Sequence, residues 1–414
     1  MVGGATFAQA ITFAVSPVLT RLYVPGEFGV LAVYGAVLGV LVGVVAMRYD
    51  FAIPLPEDDE TAAHLLVLAL AAVLALALVL TGVILYGGSG LLEGLGLGAL
   101  SSYWYLIPVG VGGAGVYSAL NYWAVRERSF DVIARTRVSR SGTAALVQVG
   151  LGAAGAGPLG LLTGHFLGQS AGIGALSRAL MRKVHHVRAV TLRGLSSAAS
   201  RYRRFPLVSA WGTLLNNAGL YVPAIALAAI YGPAVAGWFA LAERTTKVPF
   251  TLIGNSAAQV YMGEAADTLR NAPYALRPLF RTFALRLLLV GIVPATVVAL
   301  VGPDLFRLVF GAEWEVAGVF ARVLAIAFVV RFVASPLSQT LNLLERQGIQ
   351  LVWEGGRLLA VAGVFVLTSL QGWTPEECVL GYSVVMAISY VVIVLVSWSF
   401  LPSADPHKKS GGGI

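Results

Sequence analysis

Apolar residues run through this chain in blocks separated by short polar gaps, and most blocks are long enough to cross a bilayer. A hydrocarbon core about 30 Å thick takes roughly 20 helical residues. On that measure the pattern predicts twelve helices, over residues 3–22, 27–47, 62–86, 100–124, 138–156, 158–179, 205–231, 233–262, 281–302, 316–343, 347–370 and 377–400. The blocks are too long and too little alternating for barrel strands. In lipid each backbone amide must be satisfied within its own segment, which leaves helices. Composition agrees, with 57% hydrophobic and 12% charged residues, about half the charge usual in soluble domains.

The charges fall in every second gap. With the N-terminus on the cytoplasmic side, twenty-two of the 28 Lys and Arg residues lie in inside gaps, flanks and tail, including Arg48, Arg126 to Arg140, Arg178 to Arg204, Arg270 to Arg286, Arg346, Arg357, Lys408 and Lys409. Only Arg21 and Arg307 fall outside, and Arg244, Lys247, Arg322 and Arg331 lie within spans. That bias predicts a multi-pass membrane protein with both termini cytoplasmic. The net charge of +8 is then a topology signal that needs no nucleic-acid partner; anionic lipid headgroups are the expected neighbours. The lone Cys378 excludes an intrachain disulfide framework and a cysteine metal site. The start, MVGGATFAQ, has no basic n-region, so no cleavable signal is expected.

The chain reads YVPGEFGVLA from residue 23 and YGPAVAGWFA from residue 231, so Tyr23, Pro25, Gly29 and Ala32 recur as Tyr231, Pro233, Gly237 and Ala240 at an offset of 208. Each copy sits in the outer turn between the first two helices of a six-helix set, as in a parallel repeat. The expected organisation is a six-helix lobe over 1–181, a basic cytoplasmic linker over 182–204, a second six-helix lobe over 205–401 and a cytoplasmic tail over 402–414. Gly160, Gly164, Gly168 and Gly172, and likewise Gly35, Gly39 and Gly43, recur every fourth residue and read as faces for close helix packing. His165 and Gln169, one turn apart beside the first stripe, read as a helix-helix hydrogen bond before a proton site.

Charges inside the spans are costly, about 2.5 to 3.5 kcal/mol each at a helix centre, and so carry information. Glu243 and Arg244 lie near mid-depth of the eighth span, roughly 15 Å in at 1.5 Å per residue. Lys247 follows at the favoured i, i+4 spacing from Glu243. Pairing those two leaves Arg244 in excess. Arg331 lies in the tenth span, with Arg322 on the opposite face of the same helix. The equivalents of Glu243, Arg244 and Lys247 at the repeat offset are Gly35, Ala36 and Gly39, so the second lobe is the better candidate for holding an anion. Arginine forks match phosphate oxygens, so Arg244, Arg331 and Lys247 are the candidate ligands for a phosphate head group. Asn216, Asn217 and Gln259 are further candidate polar residues of the cavity. Asp50, Glu243 and Arg48 are candidates for coupling or gating, with a salt bridge to a neighbouring helix as the plainer reading of Asp50. The acidic run from Glu57 to Glu60 reads as a solvated loop.

Residues 20–60 contain the pattern R-L-Y-x-P-x-x-F-G from Arg21 to Gly29 and R-Y-D-x-A-I-x-L-P from Arg48 to Pro56. This stretch resembles the opening of bacterial O-antigen-type polysaccharide-biosynthesis flippases, in the multidrug/oligosaccharidyl-lipid/polysaccharide exporter superfamily, with Asp50 in place of the family's Glu. The stretches at 122–138, 237–261 and 305–318 are similar too. The motif residues that carry over are Arg21, Tyr23, Pro25, Gly29, Arg48, Tyr49, Asp50, Glu243, Arg244 and Pro249. The resemblance implies an all-α polytopic membrane protein of two six-helix lobes around a central cationic cavity. It also implies transport of undecaprenyl-pyrophosphate-linked oligosaccharide, without a cofactor and in the company of membrane lipids and of a polysaccharide polymerase or export machinery.

Two alternatives stand beside that expectation. An exporter of drugs or another lipid intermediate would share the fold. A membrane glycan polymerase or glycosyltransferase would need a catalytic site presented outside, and the longest outer gap, around Glu313 and Glu315, is short for one. No G-x-x-x-x-G-K-[ST] loop is present, so direct ATP coupling is not expected.

Overall fold

The computed structural model describes residues 2–181 and 190–402. Its helices are α1 (Val2–Leu22), α2 (Pro25–Val42), α3 (Tyr49–Ala52), α4 (Asp59–Gly94), α5 (Leu106–Arg126), α6 (Phe130–Ala153), α7 (Pro158–Ser170), α8 (Ile173–Met181), α9 (Leu192–Arg201), α10 (Ala210–Tyr231), α11 (Pro233–Asn271), α12 (Leu276–Phe310), α13 (Glu315–Leu337), α14 (Gln339–Leu343), α15 (Gln347–Gln371) and α16 (Pro375–Ser399). With α7 and α8 taken as one broken rod, and α13 and α14 as another, the long helices follow the twelve expected spans. Among the described residues seven segments are long and apolar enough to cross a membrane. Of the five other rods, three fall short for visible reasons: α6 opens with Arg135, Arg137 and Arg140, α11 carries Glu243, Arg244 and Lys247, and α7 stops at Ser170.

The ends depart from expectation where the backbone turns. α2 stops at Val42 rather than 47, passing at Gly43 into a run of turns that ends where Met47 and Arg48 take φ of 50° and 61°, a left-handed conformation that residues with a Cβ seldom adopt. Gly172, at φ 97°, breaks the sixth span between α7 and α8. α11 continues to Asn271 rather than 262. Of the expected linker, 182–189 lies outside the described residues, as does 403–414 of the tail; Leu192–Arg201 is helical, with the Thr191 hydroxyl accepting from the Gly194 amide at 3.1 Å.

The chain divides into two compact units, one of Met1–Ala240 with Val309–Glu313, the other of Leu241–Leu308 with Trp314–Ile414. Helices of 205–240, expected with the second lobe, pack within the first unit.

Glycine faces organise the first unit. A Cβ at Gly164 or Gly168 would strike Gln148 or Ala144 of α6, and one at Gly160 or Gly152 would strike the ring of Tyr23. Tyr23 is buried and donates to the Gln148 carbonyl at 2.6 Å, which explains its place in the opening motif. On α2, Gly39 lies under the Tyr221 ring and Gly43 under Asn217 and Thr213 of α10, whereas Gly35 faces open space. The two copies of the repeated turn meet reciprocally: Gly29 lies against the Pro233 backbone, and Gly237 against the Pro25 backbone. His165 contacts Gln169 at 3.4 Å and the Tyr34 ring edge-on at 5.6 Å.

The acidic run is committed rather than simply solvated. The Asp58 carboxylate accepts from the Thr61 amide at 2.6 Å as the cap of α4. Asp59 takes two hydrogen bonds from Arg126, at 2.9 and 3.1 Å. In the second unit Tyr261, Leu276, Phe280, Phe283 and Leu337 form a core, and Gly302 of α12 meets Gly318 of α13 backbone to backbone.

Two outcomes test this packing. Gly237→Ala should cost about 1–3 kcal/mol through overpacking, read as a lower unfolding temperature in detergent, while Gly35→Ala should be neutral or stabilising. Asp58→Ala should cost about 1 kcal/mol at neutral pH through the lost cap. The Thr61 amide lowers the Asp58 pKa from its ordinary value, so this stabilisation is present above the unfolded carboxyl range and fades as pH falls through the folded pKa. The native and variant unfolding temperatures should therefore converge in acid.

Candidate functional site

In the second unit α11 supplies Glu243, Arg244 and Lys247, and α13 supplies Arg331. Lys247 and Arg331 line one cavity of about 160 Å³ with Phe250, Gly254, Phe328, Phe332 and Ser335. A slit of about 10 Å³, lined by Glu243, Arg331, Tyr382, Met386 and Tyr390 among others, shares Arg331 and Phe328 with it. Phe250 stacks parallel to Phe328 with centroids 6.4 Å apart and leans on Phe332 at 5.3 Å. That aromatic wall lowers the local dielectric around the two cations, which strengthens their field.

The expected Glu243 and Lys247 pair forms, but loosely, at 3.8 Å with side chains 28% and 42% exposed. A pair so open contributes little to stability, so the carboxylate is no tight counter-ion for the cavity. Arg331 has no carboxylate within 4 Å among the described residues, and its guanidinium lies 6.0 Å from the Tyr390 ring centroid. Arg244 is partly buried and lines neither cavity.

The other candidates are placed elsewhere. In the first unit Asn217 spends its amide on the Gly39 carbonyl at 2.9 Å, tying α10 to α2, while Asn216 is partly buried. Gln259 is exposed on α11, three turns past Lys247. Asp50 is 4% exposed and accepts from Ser118 at 2.7 Å, not from a basic residue, so the expected interhelix salt bridge is absent among the described residues. Its second oxygen is buried without a partner there, as is the Nε of Arg48, whose guanidinium lies 4.6 Å from the Phe51 ring. The side chain of Pro249 lies outside the described residues.

One residue counted among the inside flanks belongs with the site. Arg357 is buried in α15, donates to the Tyr390 hydroxyl at 3.4 Å and stacks 4.7 Å from the Trp353 ring centroid. Counting charges by gap hides such a residue; the signal available was Trp353 one turn before it, an aromatic face for a desolvated guanidinium.

With this geometry in view, residues 18–318 match the polysaccharide biosynthesis protein family model. The chain belongs to that family. Solved structures share its fold. An inward-facing multidrug resistance MATE-family transporter of the MOP superfamily is 14% identical, with a TM-score of 0.64, over 100% of this chain and 96% of that one. The lipid II flippase MurJ, in an inward closed conformation, is 11% identical with a TM-score of 0.74, over 96% and 88%. A MOP-superfamily transporter from Pyrococcus furiosus is 14% identical with a TM-score of 0.59, over 97% and 94%. No curated protein matches the chain by sequence. This polysaccharide biosynthesis protein therefore shares its fold with MOP-superfamily transporters.

The Asp50 environment yields a test. Ser118→Ala should cost about 1–3 kcal/mol by stripping a buried carboxylate of its donor, whereas Asp50→Asn should unfold at or above the native temperature, since it removes the buried charge.

Proposed function

We propose that this family member is a flippase that carries a polyprenyl-diphosphate-linked oligosaccharide from the inner to the outer leaflet of the cytoplasmic membrane. The observation that carries the reading is the shared wall of Lys247 and Arg331 in an aromatic cavity, with Glu243 held only loosely by Lys247. Two cations against one loosely paired carboxylate leave a net positive charge, which favours a ligand bearing at least one negative charge. In this reading Arg331 and Lys247 hold the diphosphate, Arg244 adds to the field, and Asn216 and Gln259 meet sugar hydroxyls while the lipid tail stays in the bilayer.

Alternating access between two lobes presents the head group to either side. With both termini cytoplasmic, two negative charges moving outward across an inside-negative potential gain roughly 4 to 5 kcal/mol per 100 mV. That is enough to drive the step without a second ion. Asp50 and Glu243 are the carboxylates through which protons would couple. Likeness to the MATE-family fold favours a second reading, export of drugs, in which the two arginines would be dispensable for glycan assembly.

Proteoliposomes with a fluorescent polyprenyl-diphosphate oligosaccharide and an imposed potential separate the readings. Exchange between leaflets should occur with native protein, and Arg331→Ala should slow it by about 10- to 100-fold, the worth of one hydrogen bond to a charged group, with a smaller effect of Arg244→Ala, which lines neither cavity. Native protein that exchanges no such lipid, beside a working flippase control, would overturn the reading.

A further inference from the structure

Arg357 is only 6% exposed, on an apolar helix, and its Nε is buried without a hydrogen-bond partner among the described residues. A guanidinium taken out of water without a carboxylate is costly unless other groups receive it. Here two rings do so: Trp353 at 4.7 Å and Tyr390 at 5.9 Å. Trp353 is itself fixed, donating to the Ser389 carbonyl of α16 at 2.7 Å. The Tyr390 ring is thus shared by two guanidiniums, that of Arg357 at 5.9 Å and that of Arg331 at 6.0 Å.

The phenol oxygen of Tyr390 accepts from Arg357, while no described residue accepts its hydrogen. A hydroxyl that accepts from a cation becomes a better donor, because hydrogen bonds in series polarise one another. Tyr390 also lines the slit that meets the larger cavity at Arg331.

We infer that Tyr390 is a second anion-contacting donor of this site, oriented and polarised by Arg357 as a positioning residue, so that the site selects two linked phosphates over one. One phosphate lies with Arg331 and Lys247 and the other meets the Tyr390 hydroxyl through a bridging water, for which the slit of about 10 Å³ has room. A monophosphate satisfies only the first set. The inference rests on the reading of Arg331 as a phosphate ligand.

The full chain in nanodiscs, titrated calorimetrically with farnesyl diphosphate and with farnesyl monophosphate, tests it. Native protein should prefer the diphosphate by about tenfold or more, and Tyr390→Phe, which removes only the hydroxyl, should lose about that factor for the diphosphate alone. Arg357→Gln should erase the same preference, Arg357→Lys should restore part of it, and neither change should matter further once Tyr390 is Phe. A native ratio retained in folded Tyr390→Phe would overturn this inference and leave the flippase reading standing. Affinities for both probes indifferent to Arg331→Ala would overturn the phosphate reading beneath it, and this inference with it.

Discussion

Hydrocarbon provides no hydrophobic force to press one helix on another, so a bundle of this kind depends on how closely backbones can approach. The first compact unit meets that constraint with glycine. Gly164 and Gly168 let α7 lie on α6, and Gly39 and Gly43 let α10 lie on α2 with Tyr221 and Asn217 filling the space a side chain would need. Once those contacts are made, Tyr23 and Asn217 can reach backbone carbonyls of α6 and α2. The polar bonds are placed by the packing rather than the reverse. In the second unit Gly302 and Gly318 do the same for α12 and α13.

Charge is handled by a different device. Several arginines of this protein rest on rings: Arg48 on Phe51, Arg140 on Tyr117, Arg331 on Tyr390 and Arg357 on Trp353. A flat, weakly hydrated guanidinium takes such a partner at less desolvation cost than a compact, strongly hydrated ammonium. A ring stabilises the cation without cancelling it, so the positive potential of Arg331 survives into the space it lines, with Arg357 held behind Tyr390. A carboxylate at the same distance would have removed it.

Hydropathy made the helical rods legible because the period and length of an apolar block are properties of consecutive residues. It located Glu243, Lys247 and Arg331, which do converge, because charges stand out against such blocks. What it could not locate depends on neighbours distant in sequence. Gly43, where α2 ends, continues the spacing of Gly35 and Gly39 and so reads as part of a packing stripe, which makes the sequence-based α2 five residues too long. Asn217 read as a free polar group until Gly39 was seen beneath it. Arg357 read as a topology charge because burial among Trp353 and Tyr390 is a property of α15 and α16 together. The lost salt bridge of Asp50 has the same origin, its partner Ser118 being uncharged and 68 positions away.

The meeting of Gly29 with Pro233 and of Gly237 with Pro25 bears on how this chain is able to change. Any side chain added at either glycine strikes the main chain of the other turn, which no substitution there can withdraw. The two positions therefore veto each other's drift, and selection on stability alone keeps both small. The recurrence of Pro and Gly at an offset of 208 thus has a reason to persist that owes nothing to the age of the repeat. Similarity at these turns marks a shared steric obligation, and a clock set by it would run slow.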